Sequence, residues 1–149
     1  MNDARYAFVF PGQGAQQVGM GLDLVASSKA AKLVFDEVDE ALSINLSKIV
    51  FEGPEEDLKN TMNTQPAILT MSIACLRAME EILGESMPSP SFVAGHSLGQ
   101  YTALIASKSM TLSTAAVLVR ERGRLMQYAS ELNSGGMAPL IGMEDTIIE

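Results

Sequence analysis

Five residues in a row have the types and spacing for acyl chemistry: Gly95-His96-Ser97-Leu98-Gly99. The apolar run Phe92-Val93-Ala94 leads into them, and a helical pattern follows from Gln100-Tyr101. Gly-x-Ser-x-Gly between a strand and a helix is a nucleophile elbow, a turn so sharp that the serine hydroxyl stands at its apex. Gly95 and Gly99 flank the point where the two backbones close on each other, and a Cβ at either would clash. The start of the following helix offers free N–H groups and a partial positive charge to a developing oxyanion. Ser97 is therefore the candidate nucleophile.

A serine nucleophile needs a general base within about 2.6–3.2 Å. The chain has one histidine, His96. Neighbouring side chains leaving a strand point to opposite sides, so His96 is expected behind the elbow, packed or hydrogen-bonded, rather than on the Ser97 hydroxyl. In hydrolases with this elbow the histidine follows the serine late in the chain. The proton acceptor is then an unidentified carboxylate or a group outside these 149 residues, and the sequence reads as the front half of an enzyme.

A second chemical signal is Arg122. A helix is expected over about Thr114 to Leu132, with arginines at 120, 122 and 124. At about 100° per residue Arg122 shares a face with Leu118, Val119, Leu125, Met126 and Ala129, while Arg120 and Arg124 turn toward the polar side. An inward guanidinium left unpaired costs several kcal/mol, so it must meet an anion. That anion is either a ligand or a buried Asp or Glu of the chain itself; the third option is snorkelling to an edge.

The elements that must position these groups can be read in order. Arg5 to Phe10 is a short β-rich run ended by Pro11-Gly12, hence a buried strand. Pro11 to Gly19 is a loop with three glycines. Gln17 stands where a dinucleotide fingerprint needs its third glycine, and the Gly-Lys-Ser/Thr of a P-loop is absent. The loop reads instead as one whose backbone N–H groups face a site at the C-terminal end of a parallel strand. Lys29 to Leu42 is an amphipathic helix. Glu52 to Leu58 is a turn into a short acidic helix whose carboxylates are solvated charges rather than acid/base catalysts. Asn63 to Leu83 carries two apolar stripes, one of them Ile68, Met71, Cys75, Met79 and Ile82, so it is a central helix with Cys75 in the core. Gln65, at its start, either caps that helix or lines a site. Ser86 to Ser91 is a linker, the elbow helix runs to about Ser107, and Ser113 is the expected cap of the next helix. Met137 to Ile141 is an expected strand and Met143 onward the start of a helix.

Composition narrows the class. With 149 residues, 47% of them hydrophobic, the chain suffices for one globular core. A net charge of -8 argues against nucleic acid as a partner. One cysteine excludes an internal disulfide and suits the cytoplasm. There is no signal-peptide pattern and no apolar run of the roughly 20 residues that a bilayer span takes, so no membrane is expected.

Taken together, the motifs resemble the acyltransferase family of fatty-acid and polyketide synthesis, whose best-known members are malonyl-CoA:acyl-carrier-protein transacylases. Phe8-Val9-Phe10-Pro11-Gly12-Gln13-Gly14-Ala15-Gln16 is similar to its N-terminal signature and Asn63-Thr64-Gln65-Pro66-Ala67 to its second motif. The elbow and Arg122-Gly123, with Met126-Gln127, complete four motifs in order. The resemblance implies that Ser97 carries a malonyl ester and that the backbone N–H groups of Gln13 and Leu98 form the oxyanion hole. It implies that Arg122 pairs with the malonyl carboxylate, with Gln65 lining the pocket. It also implies a coenzyme A thioester substrate, acyl carrier protein as acceptor, and neither metal nor bound cofactor.

The implied fold is α/β: a three-layer hydrolase-like core with a parallel sheet over residues 1–132, and the start of an inserted ferredoxin-like subdomain over 133–149. This chain departs from the family at Gln100, where Glu is common, and in having no counterpart of the later catalytic histidine. Members are about twice this length, so a C-terminal half is expected to be missing. Two other readings stay open: a plain serine esterase or thioesterase, which does not require Arg122, and a non-catalytic or partner-dependent piece. A local basic patch of Arg120, Arg124 and Lys108 is the expected carrier-protein contact on this acidic chain.

Overall fold

The computed structural model describes residues 5–132 and 142–144. Two strands, β1 (Ala7–Phe10) and β2 (Phe92–Gly95), pair in parallel with Phe8 opposite Val93 and Phe10 opposite Gly95. The helices are α1 (Leu22–Ser27), α2 (Lys29–Leu42), α3 (Leu46–Glu52), α4 (Glu55–Lys59), α5 (Thr61–Leu83), α6 (Gly99–Ala106) and α7 (Leu112–Leu132). Among the described residues this is a mostly helical α/β arrangement with a small parallel sheet.

The long helix α5 is the axis, with α2 and α7 packed along it. Asn60 caps it, its side-chain oxygen accepting from the Met62 N–H at 3.0 Å. Pro66 lies inside α5, in its second turn, and removes one N–H from the backbone ladder there. From Asn63 to Thr70 every residue is buried. The core gathers Leu69, Ile73 and Ala74 from α5, Val34, Phe35 and Val38 from α2, and Ala115, Ala116 and Val119 from α7.

The expected helix over Lys29–Leu42 has those bounds, and Ser28 caps it through the Ala31 N–H. The cap expected at Ser113 sits two residues earlier: Thr111 Oγ1 accepts from the Thr114 N–H, while Ser113 donates to Glu37. Cys75 is exposed, not core, because its stripe turns to the outer side of α5: Met79 and Ile82 on it are exposed, while Ala74, Leu76 and Ala78 on the other side stay buried. The sheet is covered on the face of Phe8, Phe10 and Val93, while Ala7, Val9, Phe92 and Ala94 on the other face are exposed. The strand expected over Met137–Ile141 lies outside the described residues.

Candidate active site

The elbow forms where the motif places it. Ser97 has φ 52, a left-handed conformation costing an L-residue about 1–2 kcal/mol, which the packing around it must impose. The backbone of His96 does much of this: its N–H donates to the Phe10 carbonyl at 3.1 Å and its carbonyl accepts from Gly99 at 2.8 Å. The glycines are obligatory. A Cβ on Gly95 would lie 2.0 Å from the Gly99 carbonyl, and one on Gly99 would lie 2.4 Å from the Phe10 carbonyl oxygen.

The glycine loop after β1 lies against this turn. A Cβ on Gly12 would fall 2.7 Å from His96 Nδ1, so the loop backbone passes directly beside the elbow and carries Gln13 there. The Gln13 side chain reaches on to Thr61 Oγ1 at 3.4 Å, tying the loop to the start of α5. Among the described residues the N–H groups of Gln13 and Leu98 donate to no acceptor, whereas Gly99, Gln100 and Tyr101 bond to carbonyls of the turn itself. Leu98 is 1% exposed and anchors the turn in the core. His96 is exposed with its ring beside Gly12, and the Ser97 hydroxyl takes a different partner.

That partner is Arg122. Its Nη2 donates to Ser97 Oγ at 2.8 Å and its Nη1 to Gln65 Oε1 at 2.6 Å. Gln65 is fully buried, and its amide N–H donates to Met126 Sδ at 3.2 Å. A thioether only accepts, so the contact fixes which end of the amide faces the guanidinium. Gln65 thus lines the site rather than capping α5, a role taken by Asn60.

The helical-wheel reading of α7 needs a correction. Leu118 and Leu125 are exposed, and the buried face runs through Leu112, Ala115, Ala116, Val119 and Gly123. Gly123 sets that face, because a Cβ there would lie 2.5 Å from the Thr61 carbonyl oxygen; only glycine lets α7 approach the start of α5 so closely. Arg122 and Arg120 flank the face on opposite sides. Arg122 leans to the elbow and Arg120 to Asn63, 3.3 Å away, where desolvation pulls its guanidinium below the usual range. Arg124 is spent on Glu121 at 2.7 Å. Lys108 lines a different hollow, by the start of β2, so the three cations do not form one patch.

Arg122 has no carboxylate partner among the described residues; the ion pairs there are Lys32–Asp36, Lys59–Glu55, Arg77–Glu80 and Arg124–Glu121. Among the described residues neither an Asp nor a Glu supplies the anion. Among the described residues no cluster of His, Cys, Asp or Glu has the spacing to hold a metal, and no helix is long and apolar enough to cross a membrane. Sequence reasoning missed Met126 as the far end of this chain of contacts; its position one turn beyond Arg122 is the signal that could have found it.

Comparison with known proteins identifies the family. The family model described as "Acyl transferase domain" matches residues 7–146. The malonyl CoA-acyl carrier protein transacylase of Bacillus subtilis (strain 168) is 46% identical over 141 residues, 95% of this chain and 43% of the relative. A solved acyl-carrier-protein-S-malonyltransferase from Bartonella henselae superposes with TM-score 0.84 at 42% identity, over 97% of this chain and 46% of that one. A malonyl-transacylase solved in complex with its type II PKS acyl-carrier protein matches with TM-score 0.76 at 40% identity, over 85% of this chain and 40% of that one. The chain spans under half the length of each. With four ordered motifs, the elbow geometry and a match over nearly its whole length, the chain belongs to the acyl transferase domain family.

Proposed function

We propose that the enzyme this chain forms part of moves a malonyl group from malonyl-CoA, through an ester on Ser97, to the pantetheine thiol of acyl carrier protein. The observation that carries the reading is a half-buried guanidinium with no ion-pair partner among the described residues, hydrogen-bonded to the nucleophile itself. The three-carbon malonyl group has an electrophilic carbonyl at one end and a carboxylate at the other. With the carbonyl carbon at Ser97 Oγ, the carboxylate takes the place of that oxygen on Arg122 and forms a charge-assisted pair. Gln65 keeps the other edge of the guanidinium in place.

In the first half-reaction Ser97 Oγ attacks the thioester carbonyl carbon. The N–H groups of Gln13 and Leu98 stabilise the oxyanion, the C–S bond breaks, and coenzyme A leaves as the thiol with the serine proton. In the second, the carrier-protein thiol attacks the ester carbonyl and the proton returns to Ser97. Acyl transfer of this kind is redox-neutral and balances without a metal or cofactor. The proton acceptor is assigned to the part of the enzyme that the relatives carry beyond this chain. Residues 1–132 belong to a three-layer hydrolase-like domain and 133–149 open a ferredoxin-like insertion in this reading, with the cytoplasm as its setting.

The test joins this chain to the remaining portion of the Bacillus subtilis relative and compares loading from labelled malonyl-CoA and acetyl-CoA. Strong preference for malonyl, lost in Arg122→Ala, is the expected result. Equal loading of both, or preference unchanged in Arg122→Ala, would overturn it in favour of an esterase-like activity. The 149-residue chain alone is expected to turn over negligibly.

A further inference from the structure

We propose that Met126 is a positioning residue of the acyl site: its thioether fixes the Gln65 amide in the one orientation that holds Arg122 at Ser97. On the malonyl reading above, this makes Met126 a determinant of acyl selectivity.

The two ends of an amide have nearly the same shape, so its partners alone decide which way it faces. Gln65 is 0% exposed, so bulk water does not choose for it. Its Oε1 accepts from Arg122 Nη1 at 2.6 Å, and its Nε2 donates to Met126 Sδ at 3.2 Å. Among the described residues these are the hydrogen-bond partners of that side chain. Both come from α7 and stand four residues apart, so they lie one above the other on the helix. One turn of α7 therefore grips both ends of a single amide on α5. Turned over, the amide would set Nε2 against Arg122 Nη1, donor against donor, and push the guanidinium from its place beside Ser97.

Gly123 makes the grip possible. It lies between the two side chains in sequence, and its missing Cβ lets α7 rest on the Thr61 carbonyl, one turn before Gln65 on α5. The amide is thereby brought within reach of both Arg122 and Met126.

A thioether suits the task because it accepts weakly and carries no charge. A carboxylate at position 126 would also hold the amide, but it would sit one turn from Arg122 and draw the cation to itself. Leucine would fill the same space and leave Nε2 buried without an acceptor, so the amide would turn to find one. The neutral acceptor orients Gln65 before any substrate arrives and leaves the charge of Arg122 for the ligand.

The test uses this chain joined to the remaining portion of the Bacillus subtilis relative. Met126→Leu keeps the volume and removes the acceptor; Met126→Gln keeps an acceptor on a chain of similar length. The ratio of malonyl to acetyl kcat/KM should fall by about 10-fold in Met126→Leu, mostly through a higher KM for malonyl-CoA, and recover in Met126→Gln. A role in packing alone predicts the opposite order, leucine tolerated and glutamine harmful, and that order would overturn the proposal. With Gln65→Leu already in place, adding Met126→Leu should cost nothing further; a second full loss would show that Met126 does not act through Gln65. Nitrogen-15 NMR of the Gln65 side-chain amide gives a readout without substrate. Exchange of its Nε2 protons should quicken by about 10-fold or more in Met126→Leu but not in Met126→Gln. Unchanged exchange in Met126→Leu would overturn the proposal even in an enzyme that prefers malonyl. Quickened exchange in an enzyme without that preference would uphold Met126 as the residue that orients Gln65 and remove the malonyl reading instead.

Discussion

Arg122 Nη2 sits 2.8 Å from Ser97 Oγ, so the cation proposed to select the acyl group touches the oxygen proposed to receive it. Arg122→Lys keeps the charge but loses the planar fork that holds Gln65 and Ser97 at once. Malonyl loading of the assembled enzyme should fall by about 10–100-fold, with acetyl loading little changed. Single-turnover loading with the two thioesters measures it.

Gln65→Glu places a carboxylate 2.6 Å from the Arg122 guanidinium, where an amide oxygen now lies. The site then holds its own anion and competes with the substrate's. Malonyl loading should drop by about 10-fold or more while Gln65→Leu, which adds no charge, loses less. The comparison of the two variants separates competition from simple loss of a hydrogen bond.

Both Ser97→Gly and Ser97→Ala remove the hydroxyl and should abolish acylation. They differ in backbone, because φ 52 suits glycine and strains alanine. Ser97→Gly should be the more stable of the two by about 1 kcal/mol in urea unfolding.

Gly123→Ala brings a Cβ to 2.5 Å from the Thr61 carbonyl oxygen and 2.8 Å from Met62 Cα, both backbone, so α7 must move away from α5. A loss of about 1–3 kcal/mol is expected. Because Arg122 is the adjacent residue, malonyl preference should weaken along with thermal stability, measurable by calorimetry and loading on the same sample.

Partial burial pushes the Cys75 thiol up from its ordinary value. The thiolate is the reactive form, so alkylation by iodoacetamide near pH 8 should be slower than for a small thiol and accelerate only at higher pH. The unfolded chain ionises first, so folding stability falls as pH climbs from the ordinary thiol range through the folded-state value.

Much of this was legible because the signals were local. The elbow is written into five consecutive residues, and α2 into its apolar spacing. The glycine loop was placed correctly at the end of β1 because Pro11-Gly12 cannot continue a strand. What was lost depended on neighbours distant in sequence. The rotation of α7 follows from Gly123 meeting Thr61, which no wheel built on hydrophobicity alone can show, since it scores glycine as nearly neutral. Cys75 was placed in the core because its stripe is apolar throughout, and apolarity does not say whether the covering partner is in the same chain. Gln65 was left between capping and lining; Asn60 resolves it by taking the cap.

Gly99 rests on the carbonyl oxygens of Phe10 and Pro11, and Gly12 rests on His96. Loop and turn therefore interlock from both sides, and neither can shift without carrying the other. In the proposed mechanism the oxyanion donor borne by one and the nucleophile borne by the other would keep their spacing through both half-reactions, so little solvent or backbone would rearrange as charge builds on the acyl oxygen. Slackening that joint would slow turnover and leave affinity for the thioester nearly untouched.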